Sequence, residues 1–359
     1  MWALAVVGRR NLLFSEAGQA IHELSDLAAY VWRSVEHGIS TAEMTAELAA
    51  TGMETDQAQA AVAAALEDFR ALRAVVAVPS PAPVVPERWA RLAFVMAGVT
   101  VCLNLSQALV GEVEAVFGGL ITDAPESDVI LCARHAGDRV EVFSPGQPDW
   151  SCERAQFIPL LKAQLIEYVL ACGRYEVALH AAALVGGADA VLLVGSIGAG
   201  KTTLAIALER AGFGVVADDV VLLDRDGLIS GLAFPFAAKA SSWPLLSQYW
   251  PGIVDRPRHR RPDGQTLCFV PFAALDDPRP RRIGVVLLLD RQEEARAFVE
   301  ELDPTAALAA LVAEGATRDE RLTASGFTAL VAGVGAARCC RLTYSDLIEA
   351  ADAVRGLQA

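Results

Sequence analysis

The segment that most constrains this chain is a glycine-rich turn between an apolar strand and a helix. Val191-Leu-Leu-Val194 runs into Gly195-Ser196-Ile197-Gly198-Ala199-Gly200-Lys201-Thr202-Thr203, and a helix-like run follows to Ala211. Gly-x4-Gly-Lys-Thr in that context is a phosphate loop, because its backbone N–H groups must converge on phosphate oxygens with no Cβ atoms in the way. Lys201 adds a point charge for the outer phosphates, the Thr202 hydroxyl a ligand for Mg²⁺, and the helix start a partial positive charge. Gly195 to Thr203 are therefore the candidate binding residues for ATP with Mg²⁺, in a fold of the α/β P-loop class.

Composition sharpens this expectation. The chain has 30 basic residues, of which only Lys162, Lys201 and Lys239 are lysines. Phosphate loops use a compact ammonium where most sites accept a guanidinium fork. Lys239, downstream of the loop, joins the candidate cofactor-binding set.

Net charge is −14, which argues against nucleic acid as a partner, since such binding depends on cationic neutralisation of phosphates. Hydrophobic residues make up 53% of the chain. Yet the weakly polar stretches around 90–105 and 322–337 are broken by Arg91, Asn104 or glycines and fall short of the ~20 residues of a membrane span. Met1–Gly8 carries no basic leader of a signal peptide, so a cytoplasmic location without membrane contact is expected. The seven cysteines contain no Cys-x-x-Cys pair, and the five histidines fall at no ligand spacing with them, so neither a disulfide framework nor a zinc site is expected. Homo-oligomerisation is left open.

Pro79, Pro81, Pro83 and Pro86 form a spacer at 79–87 that favours extended polyproline geometry. It divides residues 1–78 from 88–359. Before it, Ala3–Val7 and Asn11–Phe14 read as strands, followed by three helices. Ser25 caps the first, Ser40-x-x-Glu43 is a capping box for the second, and Thr55 or Asp56 opens the third. This is an α+β unit of winged-helix type. Residues 1–78 hold five arginines against ten acidic residues, which lowers a DNA role further. The run Leu13-Phe14-Ser-Glu-Ala-Gly18-Gln-Ala-Ile21-His-Glu-Leu24-Ser25, with Ala29-Tyr-Val-Trp32 and Thr41-x-Glu43, resembles the PqqD-like family of leader-peptide recognition domains. That resemblance implies capture of a precursor-peptide leader as an added strand on the sheet edge. A purely structural or dimerising appendage is the alternative.

Beyond the spacer, strands are expected over 94–105, 129–143, 179–185, 190–194, 215–217, 220–223 and 283–289, with helices over 159–171, 304–313 and 344–357. Leu179-His180-Ala-Ala-Ala, the phosphate loop, Gly212-Phe213 and Val216-Ala217-Asp218-Asp219 together resemble the HPr kinase/phosphorylase family and its serine-kinase branches, with their HPr kinase/PEP carboxykinase-like fold. The resemblance implies that Asp218 is the general base with His180 beside it, and that Asp219 and Thr202 hold Mg²⁺. The residues agree with such chemistry, because phosphoryl transfer needs positioning, charge neutralisation and a proton acceptor. The basic run Arg256-Pro-Arg258-His-Arg260-Arg261 reads as a solvated loop or as a clamp for an acidic peptide or phosphate.

Two departures bear on the client. The third loop position, often serine in that family, is Ile197, and the family's regulatory domain and phosphorylase signature segment are not found. Together the modules imply an ATP-dependent kinase for a Ser/Thr hydroxyl of a ribosomally made precursor peptide, leader and core, with lasso-type peptides among the clients of related kinases. The alternatives are a phosphocarrier-protein kinase and a nucleotide-gated peptide carrier that transfers nothing.

Overall fold

The computed structural model describes residues 2–7, 10–15, 20–71, 89–124, 127–143, 149–196, 198–273, 275, 277, 279–316 and 322–357. The spacer at 79–87, the boundary at residue 78, Gly18 and Ile197 lie outside the described residues. The fold is mixed α/β, with several sheets and helices.

Strands β1 (Trp2–Val7), β2 (Arg10–Ser15) and β3 (Ala20–Leu24) form an antiparallel sheet in that order, followed by helices α1 (Asp26–Glu36), α2 (Thr41–Ala50) and α3 (Thr55–Ala71). The helices begin where polar caps stand: Ser25 Oγ accepts from the Ala28 N–H, and Ser40 and Glu43 close a reciprocal capping box. Leu13, Val31, Met44 and Phe69 are fully buried, with Trp32 edge-on to Phe69 at 5.2 Å. Strand β3 was not expected, because His22 and Glu23 interrupt its apolar character. Ser40→Ala is expected to cost this unit about 1 kcal/mol, read by chemical denaturation, since it strands the Glu43 N–H.

The next sheet runs β6-β4-β5-β7-β8-β9. Its elements are β4 (Ala90–Met96), β5 (Val99–Leu105), α4 (Gln107–Phe117), β6 (Ile121–Thr122), β7 (Val129–Ala136), β8 (Arg139–Phe143), β9 (Trp150–Glu153) and α5 (Arg154–Cys172). Two segments expected as single strands are hairpins. Ala97 and Gly98 turn the first with φ of 48° and 77°, and Gly137 the second with φ of 67°, the left-handed geometry that matches strand twist. Among the described residues α5 is long and apolar enough to cross a membrane, at 19 residues and mean hydropathy 1.2. It buries Phe157, Ile158, Leu161, Leu165 and Val169 in a core shared with Phe234 and Phe269.

The last group holds β10 (Val177–Leu179), β11 (Ala182–Val185), β12 (Ala190–Val194), α6 (Lys201–Arg210), β13 (Gly214–Ala217), β14 (Val221–Leu223), β15 (Ile229–Gly231), β16 (Phe236–Lys239), α7 (Trp243–Leu246), β17 (His259–Arg260) and β18 (Thr266–Val270). It closes with β19 (Ile283–Arg291), β20 (Phe298–Glu301), α8 (Pro304–Glu314), β21 (Gly315–Ala316), α9 (Ala324–Val334), β22 (Arg338–Tyr344) and α10 (Leu347–Gly356). Its central sheet is ordered β13-β11-β12-β19-β22-β20, with β12, β19 and β22 parallel. The strand expected over 179–185 breaks at His180-Ala181, because β10 pairs with β14 in one sheet while β11 pairs with β12 and β13 in another. Tyr344, expected to open the last helix, ends β22; Asp346 caps α10 instead. Strand β13 is antiparallel to β11, itself antiparallel to β12. The C-terminal ends of β12 and β13 therefore lie at one edge, where ligands sit in open α/β sheets.

Candidate functional site

At that edge the chain leaves β12 and turns through Gly195 to Gly200 into α6. Gly198 and Gly200 have φ of 92° and 94°, a region open to glycine and costly for other residues. A Cβ on Gly200 would stand 2.7 Å from the Tyr344 hydroxyl, which donates to the Ala199 carbonyl at 3.3 Å. The turn is thus pinned from behind by β22. Lys201 is 7% exposed, and its Nζ donates to the Gly195 carbonyl. Burial pushes its ammonium below the ordinary lysine value, against the pull of Glu314, Asp219 and Asp218.

The two carboxylates after β13 part company, as successive residues leaving a strand do. Asp218 is 4% exposed, and its Oδ2 accepts from Thr202 Oγ1 at 3.2 Å, while its Oδ1 is buried without a partner among the described residues. Desolvation pushes its carboxyl up to about 6, against the Lys162 cation and with the charge of Asp219. Asp219 instead faces α5: Lys162 Nζ lies 2.9 Å from its Oδ2 and His180 Nδ1 3.2 Å from its Oδ1. The Lys162 ammonium holds that carboxyl well below the usual carboxylate range.

The partner of His180 differs from the expected one. His180 meets Asp219 rather than Asp218, because the chain crosses between sheets at that residue. Thr202, expected to hold Mg²⁺ together with Asp219, hydrogen-bonds Asp218.

A cavity of about 890 Å³ opens over these groups. Its walls include Ser196, Gly198, Gly200, Lys201, Thr202, Thr203, Asp218, Asp219, His180 and Lys239 from the expected set. Gly195 and Ala199 do not line it and serve as acceptors behind the turn. The basic run is neither a free patch nor a whole clamp. Arg256 stacks over Trp250, Arg258 over Trp243, and Arg260 pairs with Glu153, which leaves Arg261 on the cavity wall beside Asp263.

Lys162 and Arg291 also line the cavity, and neither was singled out from sequence. For Lys162 a signal existed, since all three lysines of this arginine-rich chain converge on one cavity. Among the described residues no group of three or more His, Cys, Asp or Glu side chains is placed to hold a metal. The donor set, a threonine hydroxyl and one or two carboxylates at a phosphate turn, is the kind that holds Mg²⁺ together with phosphates. Asp218 Oδ1, a buried acceptor with no hydrogen-bond partner among the described residues, fits a ligand-completed site.

No protein-family model matches the chain, and no curated protein matches it. Among solved structures it is similar to the Hpr(Ser) kinase/phosphatase from Coxiella burnetii, with 14% identity and a TM-score of 0.22 over 50% of this chain and 97% of that one.

Proposed function

We propose that this chain is an ATP-dependent phosphotransferase that phosphorylates a Ser or Thr hydroxyl of a ribosomally made precursor peptide. The observation that carries the transfer chemistry is the buried, half-satisfied Asp218 beside Thr202 at the mouth of the glycine turn. In this reading the turn from Gly195 to Thr203 cradles the triphosphate, with Lys201 and Lys239 as its cations. Thr202 and Asp219 would hold Mg²⁺, which supplies charge neutralisation at the transferring phosphoryl group. Asp218 accepts the hydroxyl proton as the oxygen attacks, and its raised affinity for a proton suits that task. His180 positions Asp219 through its Nδ1.

The peptide side of the reading rests on the first unit. Strand β3 pairs only with β2 among the described residues and so offers an edge, and Phe14 and Ile21, cross-strand partners, are exposed beside it. Such an edge with apolar neighbours suits an added peptide strand. Tethering the leader there would raise the local concentration of the acceptor at the cavity. The test is mass spectrometry of a candidate precursor incubated with ATP and Mg²⁺. A gain of one phosphate on Ser or Thr, dependent on the leader, is expected; tight peptide binding with no gain would overturn the kinase reading.

A pH dependence follows from Asp218. A carboxyl raised to about 6 is protonated at pH 5 and ionised at pH 7, so the transfer rate should rise with pH through about 6. Nucleotide binding, measured by calorimetry over the same range, should change far less.

A further inference from the structure

Lys162 invites a closer look, because the proposed chemistry does not use it. It projects from α5, is 5% exposed, and sets its ammonium 2.9 Å from Asp219 Oδ2 and 5.7 Å from the Phe234 ring centroid. The other oxygen of Asp219 is taken by His180. Both oxygens of the proposed metal-side carboxylate are therefore engaged by the protein itself.

We infer that Lys162 is a resident counter-ion that competes with a divalent cation for Asp219, so that the metal enters this site with the nucleotide rather than ahead of it. The inference rests on the reading of Asp219 as a metal-side carboxylate. Asp218 is buried and the Asp219 side chain beside it is only 39% exposed, so the adjacent carboxylates favour a balancing cation, and Lys162 provides one that cannot diffuse away. A metal ion arriving alone must approach Asp219 against a fixed positive charge 2.9 Å from its Oδ2, carried by a side chain that is itself buried. A triphosphate arriving with the metal brings the negative charge that offsets this repulsion. The ammonium has little room to withdraw, since its stem is buried and its head sits over an aromatic ring.

The probe is Mn²⁺ alone, titrated into the full chain without nucleotide or acceptor and followed by electron paramagnetic resonance. Lys162→Met, which keeps the apolar stem and removes the charge, is expected to bind Mn²⁺ about ten- to a hundredfold more tightly than the parent chain. Adding Asp219→Asn to that variant should abolish the gain, and Lys162→Arg should bind as the parent does. Lys162→Gln covers the case in which the methionine variant does not fold. Equal or weaker Mn²⁺ binding in a folded, charge-removed variant would overturn the inference. Because no ATP is present, this outcome is read separately from the proposed activity: a chain that fails to bind ATP sinks the kinase reading, whatever Mn²⁺ does.

Discussion

Asp218→Asn is expected to reduce phosphoryl transfer by about 10²- to 10⁴-fold, the range for removing a positioned proton acceptor, while MgATP still binds. The asparagine matches the aspartate in shape and still offers the Thr202 hydroxyl an acceptor, so the first turn of α6 should be undisturbed. What it cannot do is take a proton. The same substitution should make the fold more stable at neutral pH. Asp218 is buried, and its folded carboxyl is raised to about 6, so the folded state favours the protonated form. The stability this lends is complete below the unfolded value near 3.8 and is lost as pH rises through about 6. Above that, the buried charge is a cost of order 1–3 kcal/mol, which the neutral amide largely avoids. Intact-mass assays of a candidate precursor would report the first effect, and thermal denaturation of the chain alone the second. Loss of transfer with gain of stability marks a residue kept for function; loss of both would mark Asp218 as structural.

Lys201→Met should separate binding from folding in a second way. The lysine is buried at the start of α6, its charge disfavoured by desolvation and its ammonium turned onto the Gly195 carbonyl. Methionine fills a similar volume without a charge to desolvate. Its cost, the lost attraction to Asp218, Asp219 and Glu314, runs against that gain. The melting temperature without nucleotide should therefore move little. Saturating MgATP stabilises a binding-competent chain by about 3 kcal/mol at a hundredfold excess over Kd, which for a chain of this size is a rise of about 4 °C. In Lys201→Met that rise should vanish, because charge-assisted bonds to phosphate are the strong ones and methionine supplies none. An unchanged ligand-induced shift would mean that the cavity holds its ligand without the turn.

How much of this was legible beforehand divides along a physical line. The glycine turn was legible because its constraint is local: backbone geometry within nine residues demands particular residue types. Helix starts at Ser25 and Ser40 were legible for the same reason. The hairpin at Ala97-Gly98 was not, because alanine in the left-handed region is no turn signal and the apolar run continues through it. Nor was the break at His180, which has no glycine or proline; it arises because the two halves of the run find partners in different sheets. Asp218 and Asp219 could be found as a pair, but which of them meets Thr202 and which meets His180 depends on how three segments converge. Lys162 lies on a helix apolar on nearly every face, 57 residues before the acid it holds, and only the scarcity of lysine pointed toward it.

The central claim is that the turn at 195–200 wraps a metal-bound triphosphate, with Asp218 facing the transferring group. An acyl-phosphate derivative of ATP, which acylates lysines close to its phosphates, tests this most directly, because the chain has only three lysines. Peptide mapping should find Lys201 or Lys239 acylated, and excess MgATP should abolish the modification. Acylation that excess MgATP does not block, or none at either lysine, would contradict the claim.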